Sequence, residues 1–339
     1  MRKVIIIAEA GVNHNGDINL AKKLIDVAAH AGADYVKFQT FKAEEIVSKT
    51  APKAEYQIGT TDEKESQLGM LQKLELTEED HKELIEYCER RSIKFLSTPF
   101  DIGSILLLKN LGVRVGKIPS GEITNLPFLE RMAVSFEELI ISTGMSMIDE
   151  VEEAFNAVIR SGAKKENVTI LHCTTEYPTP MEDVNLTAMV TMQRRFETRV
   201  GYSDHTKGIE VSVAAVALGA TIIEKHFTLD RNMKGPDHKA SLEPDELRNM
   251  VSAIRNIEIA LGNGTKKPTL SEQRNIIVAR KSLIAAKNMD AGYVIQKKDI
   301  AIKRPGNGIS PMMINEIIGK KLIRAIEEDE ILTPEHFQK

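Results

Sequence analysis

Val4-Ile5-Ile6-Ile7-Ala8, closed by Glu9, opens the chain and sets a rhythm that recurs along it. The later runs are Tyr35-Val36-Lys37-Phe38, Ile93 to Ser97, Val113 to Ile118, Leu139-Ile140-Ile141-Ser142, Val168-Thr169-Ile170-Leu171, Thr198 to Tyr202 and Thr221-Ile222-Ile223-Glu224. Each is short, rich in β-branched residues and apolar without alternation, the pattern of a strand buried on both faces of a parallel sheet. Segments of helical period lie between them. Leu20 to Ala31 repeats apolar residues at Leu20, Leu24, Val27, Ala28 and Ala31. Thr77 with Asp80 reads as a capping box that opens a helix reaching Arg90. Asp149 to Arg160, Ile209 to Leu218 and Pro244 to Leu261 show similar period. Eight strands alternating with helices over about 260 residues predict an α/β fold, a (β/α)8 TIM barrel rather than an open sheet.

The rhythm breaks after Leu261. Gly262-Asn263-Gly264-Thr265-Lys266-Lys267-Pro268 is polar and turn-rich, a boundary signal. We therefore divide the chain into a barrel over 1–262, a linker over 263–281 and a small β-rich domain over 282–339, with short runs at Ser282 to Ala286 and Asp299 to Ile302. So short a tail forms a marginal core alone, so it is expected to lean on the barrel or on a partner chain.

Composition bounds the function. Of 339 residues, 42% are hydrophobic and 28% charged, the proportions of an ordinary globular protein. Lys plus Arg number 45 against 49 Asp plus Glu, for a formal net charge of -4. That balance argues against nucleic-acid binding through bulk charge and leaves room for a local basic pocket. Cys88 and Cys173 stand far apart with no metal or redox spacing, so a reducing cytoplasmic setting is expected. Met1-Arg2-Lys3 precedes only the run Val4 to Ala8, too short for a signal peptide or a membrane span.

In an α/β barrel the C-terminal ends of the strands form the active face. The runs end in Glu9; in Lys37 with Gln39 and Thr40; in Ser97-Thr98; in Lys117 and Ser120-Gly121-Glu122; in Ser142-Thr143-Gly144; in His172 with Thr174-Thr175; in Ser203-Asp204-His205; and in Glu224 with His226. Every expected strand thus ends in groups able to bind or react. Lys37 and Lys117 bring positive charge. Thr98, Ser120, Ser142 and Ser203 bring short donors, and Gly121 and Gly144 let backbone N–H groups approach closely. Together they suit a phosphate or a carboxylate-phosphate. The competing role for any one hydroxyl is to cap the next helix. His205 and His226 close consecutive strands, so their rings are placed to converge on a divalent cation whose shell water or substrate would complete. The competing role for each is a general base or a satisfied polar residue. His14 is expected to order its loop, and His172 and Cys173 to be core residues. By spacing alone, Arg304-Pro305-Gly306-Asn307-Gly308 is a surface turn.

At these residues the chain resembles the sialic acid synthase family, the phosphoenolpyruvate-dependent nonulosonate synthases. The matching segments are Glu9-Ala10-Gly11-Val12-Asn13-His14-Asn15-Gly16, Val36-Lys37-Phe38-Gln39-Thr40, Ser97-Thr98-Pro99-Phe100 and Lys117-Ile118-Pro119-Ser120-Gly121-Glu122. They continue through Ser142-Thr143-Gly144-Met145, Tyr177-Pro178-Thr179-Pro180, Ser203-Asp204-His205-Thr206, Glu224-Lys225-His226-Phe227-Thr228, Gly235-Pro236-Asp237 and Lys303 to Gly308. The tail resembles the family's antifreeze-protein-like (SAF) domain.

The resemblance implies a domain-swapped homodimer in which one chain's tail covers the other's barrel mouth. It implies condensation of phosphoenolpyruvate with an open-chain N-acetylated aminosugar, releasing phosphate by C–O cleavage and requiring Mn2+ or Mg2+. Carried over, His205 and His226 are the metal ligands. Lys37, Thr98, Lys117, Ser120, Ser142 and Ser203 hold phosphoenolpyruvate. Glu122 is the acid/base, and Glu9 and Gln39 face the metal and the sugar. Tyr177 and Asp237 contact the sugar, and Arg304 from the partner holds its N-acetyl group. Thr175 departs from the pattern: some members carry Asn there, and Thr is a shorter donor and acceptor. The expected sugar is N-acetylmannosamine, giving N-acetylneuraminate. The alternative is 2,4-diacetamido-2,4,6-trideoxymannose, giving N,N'-diacetyllegionaminate. Readings of other classes are a class I aldolase with a Schiff base on Lys37 or Lys117, and a noncatalytic carbohydrate- or ice-binding protein.

Overall fold

Strand β1 (Ile5–Gly11) divides its apolar residues between two dry surfaces. Ile6, Ala8 and Ala10 pack outward among helix residues, while Ile7 packs inward against Leu96, Ile140, Leu171 and Ile222 of other strands. A strand with no wet face needs no alternation, and this is why the runs read as continuous. The structure, a computed structural model, describes residues 3–53, 61 and 65–338. Met1 and Arg2, weighed above as the start of a leader, and Lys339 lie outside the described residues.

Seven more parallel strands follow: β2 (Tyr35–Thr40), β3 (Lys94–Pro99), β4 (Val115–Ile118), β5 (Glu138–Ser142), β6 (Val168–His172), β7 (Arg199–Asp204) and β8 (Ile222–His226). The hydrogen-bonded order is β3-β2-β1-β8-β7-β6-β5-β4. The two ends, β3 and β4, lie against each other, so the sheet curls into the expected barrel. Each strand is followed by a helix: α1 (Ile18–Ala31), α2 (Glu78–Arg90), α3 (Ile102–Asn110), α4 (Leu126–Ser135), α5 (Ile148–Arg160), α6 (Thr187–Phe196), α7 (Glu210–Ala217) and α8 (Pro244–Ala260).

Local chemistry accounts for the helix ends. Asp17 caps α1, which stops at Gly32 with φ +81°, a conformation that costs glycine nothing. Thr77 and Asp80 form the predicted capping box on α2. Helices α3, α4 and α6 were not marked by period. Helix α3 carries Ile102, Ile105, Leu106, Leu107 and Leu108 around its whole circumference, so no apolar stripe stands out.

Several strands run past the apolar runs that announced them. β1 continues through Gly11, β3 through Pro99 and β8 through His226, whereas β4 begins two residues late, at Val115. Glu9, Thr98 and His226 are therefore strand residues. A buried polar residue pairs in the ladder as well as an apolar one, so hydropathy ends the strand too early.

The chain divides into two compact units, Met1–Asn263 and Gly264–Lys339. Residues 264–281, read above as linker, group with the second unit and contain α9 (Leu270–Ala279), opened by a Thr269/Glu272 capping box. The second unit pairs β9 (Ser282–Ala285) antiparallel with β10 (Ile300–Lys303). Its small core gathers Leu283, Met289, Ile295, Ile309, Leu322 and Phe337.

Candidate active site

Inward-facing positions recur every second residue along a strand. Two residues beyond the apolar layer of Ile7, Leu96, Ile140 and Ile222 come Glu9, Thr98, Ser142 and Glu224. The same parity gives Lys37, Gln39, Lys117, Ser203 and His205. The ladders hold them side by side: Glu9 pairs with Lys37 on one flank and His226 on the other, and Ser203 pairs with Glu224. The barrel is thus plugged with hydrocarbon below and lined with charge above.

The charged layer is dry and tightly connected. Lys37 Nζ donates to Thr98 Oγ1 at 2.8 Å and stands 3.0 Å from Glu9 and 3.4 Å from Glu224. Lys117 Nζ donates to Ser142 Oγ at 2.7 Å and lies 3.5 Å from Glu224. Ser203 Oγ donates to Glu224 Oε1 at 2.9 Å. Glu224 therefore stands between the two lysines. Although burial opposes its charge, Lys117 and Lys37 hold its carboxyl down to about 2. Burial pushes Glu9 up to about 7 against the pull of Lys37, with the Glu224 charge adding to the rise. Burial also depresses Lys117. Lys37 is equally buried but rises, because Glu224 and Glu9 outweigh the loss of solvation.

The hydroxyls do not cap helices. The side chains that cap α3 and α4 are Asp101 and Asn125, while Thr98, Ser142 and Ser203 bind the ionic layer. Ser120 Oγ accepts from Gly144 N–H at 2.9 Å and lies 3.3 Å from Cys173 Sγ. A Cβ on Gly144 would fall 2.1 Å from Thr175 Oγ1 and 2.9 Å from Ser120 Oγ, so any larger residue here displaces these two side chains. Thr175 Oγ1 is itself buried without a hydrogen-bond partner.

His205 and His226 come together as expected, with ring centroids 5.6 Å apart at 52°. Tyr177 lies 4.2 Å from the His205 ring and 5.7 Å, edge-on, from the His226 ring. His205 Nδ1 donates to the Thr174 carbonyl at 2.6 Å, which leaves its Nε2 with a free lone pair. His226 Nδ1 is buried without a hydrogen-bond partner. Burial lowers His205 to about 4 and His226 well below the usual imidazole value, so both are neutral, the form that ligates a metal. Among the described residues, no group of three or more His, Cys, Asp or Glu is disposed to hold a metal. The donor set fits an open site of two imidazoles and no closed cage.

One cavity of 420 Å³ is lined by Glu9, Lys37, Gln39, Thr98, Lys117, Ser120, Ser142, Thr175, Tyr177, Ser203, His205, His226 and Asp237. This lies within the usual range for a small-molecule site. Asp237 is buried, and burial raises its carboxyl to about 6. Two expected residues fall outside the lining. Glu122 closes a turn after β4, with its carboxylate accepting from Asn125 Nδ2 at 2.6 Å. Arg304 is exposed in the second unit, just after β10. His14 orders its loop by accepting from Gly16 N–H at 3.0 Å, and His172 binds the Val184 carbonyl at 2.8 Å. Cys173, expected to be a core thiol, is buried but lines the cavity.

Glu224 was among the strand-end groups named from the sequence but was given no role of its own. The signal was its position two residues before His226, which places both on the inward face. Val12, Phe41, Met70, Leu71 and Leu74 also line the cavity and carry no polar mark that sequence reading uses.

The buried groups set the acid response of the fold. His14 and His238, like His205, are pushed down by burial to about 4, and His226 lies well below normal. On unfolding in mild acid these four imidazoles take up protons, while Glu9 and Asp237 release theirs. His81, His172 and His336 are also depressed by burial, so imidazole uptake outweighs release from the two carboxyls, and stability present above about pH 6.5 falls between about pH 6 and pH 5. Urea midpoints measured across that interval check the slope. A flat profile contradicts the burial of these rings.

The chain matches the NeuB family over residues 24–266 and the SAF domain over residues 280–338. It is 56% identical to the N,N'-diacetyllegionaminic acid synthase of Campylobacter jejuni, over 98% of this chain and 99% of that protein. It is 47% identical to the synthase of the same name from Legionella pneumophila, over 98% and 94%. Among solved structures it resembles an N-acetylneuraminic acid (sialic acid) synthetase from Leptospira borgpetersenii, with a TM-score of 0.72, 38% identity, and 81% of this chain and 90% of that one covered.

Proposed function

That the chain belongs to the NeuB family, the sialic acid synthases, and ends in a SAF domain is the premise from which we propose its reaction: phosphoenolpyruvate, an open-chain N-acetylated aminosugar aldehyde and water give a nonulosonate and phosphate. The observation that carries this reading is the buried layer of two lysines and two carboxylates beside a pair of neutral imidazoles in one cavity. Of the two candidate sugars, identity to the two legionaminic acid synthases favours 2,4-diacetamido-2,4,6-trideoxymannose over N-acetylmannosamine.

Lys37 and Lys117 hold the anionic groups of the enol phosphate, with Thr98, Ser120, Ser142 and Thr175 as short donors. Glu224, held by Ser203, stands between the two ammonium groups and favours their charged forms. His205 and His226 would hold a divalent cation, Mn2+ or Mg2+, which supplies Lewis acidity at the aldehyde oxygen. Gln39, Tyr177 and Asp237 orient the sugar. The enol carbon bonds to the aldehyde carbon, water adds to the neighbouring carbon, and the C–O bond to phosphate then breaks as the added hydroxyl becomes the ketone, its proton leaving with the phosphate. Glu9, poised near neutrality, gives the proton that turns the aldehyde oxygen into a hydroxyl. By its place in the family motif, Glu122 is the base that takes the proton of the attacking water. The lysines then stabilise the departing phosphate.

The enzyme works in the cytoplasm. Both cysteines are free and buried, the state a reducing compartment maintains. It assembles as a domain-swapped homodimer in which Arg304 of the partner subunit reaches the sugar's N-acetyl group. Exposed Met145, Met147 and Met181, on loops at the strand-end face, support a covering partner.

The test is incubation with phosphoenolpyruvate, either sugar and Mn2+ in isotopically labelled water. Label is expected in the sugar acid at early times and none in the phosphate. Borohydride should leave no adduct on either lysine. Label in the phosphate, or a trapped adduct on Lys117, overturns the reading, the latter in favour of the Schiff-base aldolase.

A further inference from the structure

The cavity is polar on one side and hydrocarbon on the other. Phe41 follows the last residue of β2 and lines the cavity with Lys37 and Gln39 of that strand. Val12 follows the last residue of β1. Met70 and Leu71 belong to a short helix (Gln67–Gln72) in the segment between β2 and α2, and Leu74 follows it. Val12, Phe41, Met70 and Leu74 form a separate apolar cluster, with Leu71 and Phe100 packed against it. All six line the cavity. Phe100 meets Phe41 edge-on, with centroids 6.3 Å apart at 85°. This cluster is distinct from the apolar layers that hold the barrel together.

Resting on the synthase reading above, we infer that this wall is the specificity element for the sugar, selecting a far end that carries methyl groups over one that carries hydroxyls. The reactive aldehyde belongs at the charged layer and the imidazoles, where the polar groups converge. The rest of an extended sugar then runs outward past Gln39 toward Phe41. The methyl at the sixth carbon of a trideoxy sugar, and the methyl of an acetamido group on its fourth carbon, gain burial there. N-acetylmannosamine has hydroxyls at both places. Each would lose water against Phe41, Met70 and Leu74, side chains that offer it no strong hydrogen-bond partner. An apolar pocket rejects an added hydroxyl by on the order of a hundredfold, so kcat/KM should favour the diacetamido sugar by about that factor.

Phe41→Tyr and Met70→Gln place a polar atom on the wall with little change of shape. Each should lower the ratio of kcat/KM values, diacetamido sugar over N-acetylmannosamine, about tenfold. The change should appear in the KM of the sugars and not in the KM of phosphoenolpyruvate, a split that general loosening of the barrel would not give. The two variants are independent, so misfolding of one, seen as a lost thermal transition, leaves the other to decide. A wild-type ratio near one, or a ratio unmoved in the folded variants, overturns the inference while leaving the synthase intact. Absence of product from both sugars sinks the synthase reading itself, and the wall with it.

Discussion

Glu224→Ala is expected to lower kcat/KM by at least about a thousandfold and to cost roughly 3–5 kcal/mol of stability. This carboxylate lies within 3.5 Å of Lys117 and 3.4 Å of Lys37, and it accepts from Ser203. Without it, two buried ammonium groups face one another, and Glu9 balances only one of them. Lys117 is already depressed by burial and would be pushed further toward its neutral form, weakening a charge that holds the substrate anion. The KM of phosphoenolpyruvate should therefore rise as kcat falls. Glu224→Gln keeps an acceptor for Ser203 but no charge, so it should fall between wild type and alanine in both stability and rate. Urea unfolding and steady-state kinetics measure the two effects separately. An unchanged phosphoenolpyruvate KM in Glu224→Ala would show that the layer is architectural and holds no substrate.

His226→Ala is expected to abolish metal-dependent turnover, a loss of about a thousandfold or more. The two rings are neutral and 5.6 Å apart, and each keeps a nitrogen that no protein group occupies. With only two protein ligands, removal of either leaves a single imidazole, too few to retain a cation. His205→Ala should thus give nearly the same loss, and the double variant little more, because the pair acts as one unit. Mn2+ titration by calorimetry supplies a readout apart from turnover: affinity should be lost in both single variants. Full activity in the presence of a chelator would remove the cation from the chemistry.

The apolar runs located all eight strands, because a strand dry on both faces has to be apolar throughout. They misplaced several strand ends, because the last inward residues of these strands are polar. That same fact left Glu224 without a role. As a carboxylate among apolar neighbours it reads as the close of a run, and its role depends on Lys37 and Lys117, which lie 187 and 107 positions earlier in the chain. Glu122 illustrates the reverse case. Its motif marks it plainly, yet backbone geometry after β4 turns its side chain toward Asn125.

The order of strands and helices, the inward parity of Lys37, Lys117, His205 and His226, and family membership are determined by the amino-acid sequence, since each follows from local period or from contiguous motifs. The closing of the barrel decided the rest. It set which carboxylate neutralises which lysine, drove Glu9 up and Glu224 down, and gathered Val12, Phe41, Met70 and Leu74 into one wall of the cavity. Charge coupling and burial depend on distances through space between residues remote in the chain, and those exist only once β1 and β8 lie side by side.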